Sequence, residues 1–106
     1  MSSASPTTTL GERLETARQS QQPVPSFRQL ERRLVASIGE FAPSSETLRR
    51  WHRPQTEAHD VDLFVLLALA DVYGTTLRKL SETAADLLSD LGERATGWLS
   101  GTPLAA

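Results

Sequence analysis

Residues 26–53 read "SFRQLERRLVASIGEFAPSSETLRRWHR", and their punctuation decides the fold. Ser26 is an N-cap with Gln29 in the box position, and Phe27, Leu30, Leu34 and Ile38 form one helical stripe, so a helix is expected over 27–38. Gly39 and Pro43 then break the pattern, since proline disfavours helix at the preceding Ala42. Ser44 caps a further helix that runs to about Arg53, where Pro54 limits it. On that helix Leu48 and Trp51 stand three apart and face inward. Ser45, Glu46, Arg49, Arg50 and Arg53 are left on the outward arc.

Upstream, Thr9 and Glu12 form a capping box for a helix over about 10–20, carrying Leu10, Leu14 and Ala17, and "QQPVP" ends it. Downstream, Asp60 is read as the cap of "VDLFVLLALADVY", a helix apolar nearly all round and therefore central, with Gly74 as its stop. Thr76 caps a fifth helix, along which Leu77, Leu80, Ala84, Leu87 and Leu91 alternate spacings of three and four. Gly92 and Gly97 each cost about 1 kcal/mol relative to alanine, which predicts a kink or break before "ERATGWLS". Without a strand pattern or internal repeat, the fold class is all-α, with five or so short helices. Residues 1–8 and 101–106 lack an apolar period and are expected to be disordered tails.

At 106 residues the chain is the size of one domain. The absence of cysteine excludes disulfide staples and thiolate metal sites, and the longest apolar run, interrupted by Asp62, is too short for a bilayer. A cytoplasmic protein is the default expectation. Net charge is −2, but its distribution is uneven. Residues 28–53 carry Arg28, Arg32, Arg33, Arg49, Arg50 and Arg53 against Glu31, Glu40 and Glu46, a local +3. Residues 57–94 carry eight acids against Arg78, Lys79 and Arg94, a local −5. That separation suits an anionic partner met on one face.

The order of elements resembles the lambda-repressor-like helix-turn-helix domains, the XRE group of bacterial and phage regulators, over about residues 9–81. "LALADVYGTTLRKL" (67–80) is similar to the family's fourth-to-fifth helix passage, "SSETLRRWHR" (44–53) to its recognition helix, and "LGERLETAR" (10–18) to its first helix. The resemblance implies a helix-turn-helix DNA-binding domain over 9–81; the residues beyond it, 82–100, are read as a C-terminal helical extension that serves dimerisation. Two features depart from the family pattern. Glu31 follows Leu30 where a small residue is usual, and the fourteen residues from Leu30 to Ser44 make a longer step than usual.

On the resemblance, Ser45, Glu46 and Arg50 occupy base-reading positions, with Arg49 beside them facing base edge or backbone. Arg50 is the leading candidate, because a guanidinium can pair bidentately with guanine. Ser26, Arg28, Ser44, Thr47 and Arg53 are candidates for phosphate contact, which orients without specifying. Leu87, Leu88, Leu91, Trp98 and Leu99 are candidates for a homodimer interface, the alternative being that this segment folds back onto the chain's own core. The implied function is a sequence-specific regulator of the phage immunity repressor or Cro-like type, occupying a palindromic double-stranded operator as a dimer. The alternative from another class is a helical protein–protein adaptor, antitoxin-like or anti-repressor, without specific DNA binding.

His52 and His59 have no third ligand at a recognisable spacing, so they are read as solvated or phosphate-facing side chains and no metal or other cofactor is expected. Paired carboxylates, a nucleophile with its base and a glycine-rich phosphate loop are missing as motifs, so no enzyme is expected. The terminal Leu104, Ala105 and Ala106 resemble the end of the bacterial tag that marks polypeptides for an ATP-dependent protease, which would make such a protease a partner.

Overall fold

A computed structural model describes residues 8–99, with side chains to residue 95. Thr9 accepts the Glu12 N–H (3.2 Å) while Glu12 accepts the Thr9 N–H (2.9 Å), and this reciprocal cap opens α1, Leu10–Gln19. The same device at Ser26 and Gln29 opens α2, Phe27–Ile38, which Gly39 stops in the left-handed region at φ 61°. A 3₁₀ turn, Gly39–Phe41, carries the chain to Ser44, whose hydroxyl accepts the Thr47 N–H and begins α3, Ser45–Trp51. A second 3₁₀ turn, Ala58–Asp60, precedes α4, Leu63–Val72. Two further helices follow: α5, Leu77–Leu80, and α6, Glu82–Leu99. The described chain is all-α.

Three sequence expectations need correction. The cap of α4 is Asp62, which accepts from the N–H groups of Phe64 and Val65. Asp60 instead accepts the Glu57 N–H within the 3₁₀ turn, so the cap lies two residues later than expected. The fifth helix is divided at Ser81, which is extended (φ −158°, ψ 113°) and accepts the Ala84 N–H, so a new cap interrupts the leucine seam. The helix then continues through Gly92 without a break. A glycine penalty of about 1 kcal/mol is too small to stop a helix that is otherwise continuous. The terminal Leu104, Ala105 and Ala106 and the side chains of Trp98 and Leu99 lie outside the described residues.

The core is built from Leu10 and Leu14 of α1, Leu30 and Leu34 of α2, Leu48 of α3, five residues of α4, and Leu77, Leu80 and Ala84 beyond it. α2 packs against α3 and α4, while α5 packs against α1, α4 and α6. Gly11 is where α1 meets the segment after α3. Its N–H donates to the Thr56 carbonyl (3.1 Å), and a Cβ there would overlap the Arg53 carbonyl oxygen. The longer connector between α2 and α3 is pinned to α4 by Phe41, whose ring meets Phe64 edge-on at 5.7 Å. The fold thereby places α2 and α3 side by side on one surface.

Candidate nucleic-acid interface

α3 has seven residues, and its inward positions are nearly all committed. Leu48 is fully buried and Trp51 half-buried. The helix closes at Trp51, two residues earlier than expected, because His52 turns inward and the chain folds through Arg53 N–H to Arg50 carbonyl and Thr56 N–H to Arg53 carbonyl bonds. Thr56 also donates its hydroxyl to the Arg50 carbonyl (3.0 Å).

His52 is buried, only 5% exposed, which overturns the reading of it as solvated or phosphate-facing. Its Nδ1 lies 2.6 Å from the Leu48 carbonyl and its Nε2 2.7 Å from the Tyr73 hydroxyl. A carbonyl only accepts, so Nδ1 carries the proton and, in the neutral ring, Nε2 accepts from Tyr73. Burial holds the imidazole below its ordinary value, against the opposing pull of the Leu48 carbonyl. Burial also pushes the Tyr73 phenol well above its usual range, which keeps it a donor. His59, by contrast, is exposed beside Asp60 at 3.5 Å. Among the described residues no group of three or more metal-ligating side chains occurs.

Phe27 completes the base of the surface. Its ring meets His52 edge-on at 5.1 Å and lies under two guanidinium groups, Arg18 at 4.4 Å and Arg49 at 5.5 Å. Arg18 is fully engaged, with a two-point bond to Glu15 (2.9 and 2.8 Å) and a bond to the Pro25 carbonyl (2.8 Å). That pairing lowers the Glu15 carboxyl and raises the Arg18 guanidinium from their ordinary values. α1, α2, α3 and α4 are thus tied together directly beneath the arginines.

Arg28, Arg32, Arg33, Arg49, Arg50 and Arg53 are all exposed, and none forms an ion pair among the described residues. Glu46 is exposed beside them. The arginines of the acidic part differ: Arg78 pairs with Asp86 (3.1 Å) and Arg94 with Asp90 (3.3 Å). Of the residues assigned to phosphate, Ser26, Ser44 and Thr47 already act in helix caps, and Thr47 Oγ1 also accepts from Ser44 Oγ (3.1 Å). Ser45 is half-buried, and its N–H donates to a Glu31 carboxylate oxygen at 2.8 Å. On α6, Leu87 and Leu91 are exposed, at 55% and 49%, whereas Leu88 packs against the chain's own core. Leu87 borders an open, mainly apolar cleft of about 550 Å³ that Val61, Leu63 and Leu66 also line.

Sequence reasoning found the exposed arginines but missed Glu15, Arg18, Glu31 and Tyr73. The first two carried a signal, as opposite charges three apart on one helix. The others act across 14 and 21 residues and left no local pattern. Compared with protein-family models, curated proteins and solved structures, the chain matches none.

Proposed function

We propose that the chain is a sequence-specific double-stranded DNA-binding regulator that presents α3 to the major groove. The observation that carries this reading is the set of six exposed arginines on α2, α3 and the turn after it, none with an acidic partner among the described residues. Arg78 and Arg94, outside this segment, are instead paired with Asp86 and Asp90. In this reading Arg50, with Ser45, Glu46 and Arg49 around it, faces base edges, and Arg28, Arg32, Arg33 and Arg53 face phosphate. Occupancy of an operator would repress by excluding polymerase, in the manner of a phage-type repressor, and the exposed Leu87 and Leu91 would join two copies on a palindrome.

The test is selection of a preferred duplex from a random pool, followed by fluorescence anisotropy with that duplex and a scrambled one at several salt concentrations. The expected preference is on the order of a thousandfold or more, with affinity falling steeply as salt rises. Arg50→Ala is expected to cost about 1–3 kcal/mol of that discrimination. Equal binding of both duplexes refutes the reading. A protein–protein adaptor is the second reading, favoured by the exposed Phe41–Phe64 pair, and it predicts weak DNA binding blind to sequence.

A further inference from the structure

Glu31 departs from the pattern of the family the chain resembles, and the structure gives it a partner on another helix. Its carboxylate, on α2, accepts the Ser45 N–H at 2.8 Å across fourteen residues. Ser45 is the first residue of α3, and the first N–H groups of a helix have no partner inside it. The Ser44 hydroxyl serves Thr47 and is not available to Ser45 in the same way. On the other side, Glu31 follows Leu30, which is fully buried, so the carboxylate is carried by a backbone position fixed in the core.

We propose that Glu31 is a positioning residue that sets how α3 presents its outward side chains, a proposal that rests on the DNA-binding reading above. α3 has one fully buried side chain, Leu48, and a half-buried Trp51 near its end. Leu48 is the middle residue of the seven and Trp51 the last, and His52, at the close, is held by Tyr73. The first turn, with Ser45 and Glu46, follows a connector of six residues, Gly39 to Ser44, that touches α4 at Phe41. The bond from Glu31 adds a direct hold from α2 at the opposite end of the helix. The bond is part-buried, which shields it from competition by water. The longer connector and the glutamate therefore act together: the connector joins two helices that pack against each other, and the carboxylate ties the first turn of α3 to α2.

The proposal separates two properties of Glu31, its charge and its acceptor oxygen. Glu31→Gln removes the charge and keeps an oxygen for Ser45, whereas Glu31→Ala removes both. Wild type and the two variants are compared by anisotropy on the selected and scrambled duplexes, and by hydrogen exchange at the Ser45 amide. Glu31→Gln is expected to keep the wild-type preference within about twofold, with both duplexes bound more tightly because one negative charge is gone. Glu31→Ala is expected to lose about tenfold or more of the preference, with no loss of affinity for scrambled DNA and with faster Ser45 exchange in a protein that remains folded. Retention of the full preference by Glu31→Ala, equal losses in both variants, or slow Ser45 exchange in Glu31→Ala each overturns the proposal while the DNA-binding reading stands. If wild type prefers no duplex, that reading fails and the positioning role fails with it.

Discussion

Gly11→Ala tests the contact on which the orientation of α1 against the end of α3 depends. Gly11 lies within α1 with no positive φ, so its backbone does not require glycine and the space around it does. A Cβ there would stand 2.7 Å from the Arg53 carbonyl carbon and closer still to its oxygen, with Thr56 Cβ at 3.1 Å. Ordinary carbon–oxygen contact is about 3.2 Å, and the carbonyl oxygen is the nearest atom, so the two segments must part by roughly 1.5 Å. Parting them stretches the bond from the Gly11 N–H to the Thr56 carbonyl, now 3.1 Å. Overpacking costs about 1–3 kcal/mol and the weakened bond about 1 more, against a gain of about 1 for alanine over glycine in a helix. The net expectation is a loss of about 2 kcal/mol. For a domain of this size that lowers the melting temperature by on the order of 10 °C, measured by far-UV circular dichroism. The sign is decisive, because alanine without the clash would stabilise the helix. A variant that melts at or above wild type refutes the close approach.

Gly92→Ala makes the opposite prediction: a Cβ at this exposed position in α6 meets nothing within 4 Å, so urea unfolding should show a gain of about 0.5–1 kcal/mol. Burial depresses the His52 pKa below 6.5, so in acid the unfolded chain binds a proton that the native state refuses. Stability from this group is whole above pH 6.5 and falls as pH drops below it, a dependence that His52→Gln should abolish. Glu15, lowered by Arg18, contributes separately, and its share is lost only as pH falls below 4.5 toward its folded value. Leu87→Glu places a charge beside the apolar cleft and should convert the proposed dimer to a monomer by light scattering; a monomeric wild type, or a dimer of unchanged mass, would remove α6 from that role.

What the sequence disclosed was whatever it encoded locally. The boxes at Thr9–Glu12 and Ser26–Gln29 span three residues each, and the helices they start begin where the spacing puts them. Gly39 and Gly74 stop helices at φ 61° and 67°, as residues without a Cβ do. The break at Ser81 escaped notice because leucines continue on both sides of it, although a serine followed by Glu82 carries the marks of a new helix start. Exposure of the arginines was equally legible, since Leu48 and Trp51 fix which arc of α3 faces in. The support beneath them was not. His52 reads as one more polar residue on a basic helix, and only the approach of Tyr73 from α4 and Phe27 from α2 makes it a buried hub.

That arrangement divides α3 and its flanks into two classes of residue. Ser44 caps the helix, the Ser45 N–H is held by Glu31, Leu48 enters the core, and His52 joins Leu48 to Tyr73. Glu46, Arg50 and Arg53 have no such duty, and Arg49 only rests over Phe27 at 5.5 Å. Substitutions in the first class should therefore change stability and DNA binding together. Those in the second should leave folding nearly untouched, since exposed positions without specific contacts usually lie within about 0.5 kcal/mol of neutral. Arg50→Ala is the sharpest case, because its carbonyl, which receives the Thr56 hydroxyl, remains in place when the side chain is removed. Loss of DNA discrimination with an unchanged unfolding midpoint would assign the guanidinium to recognition. A parallel loss of stability would instead make it part of the scaffold and remove the main support for the DNA-binding reading.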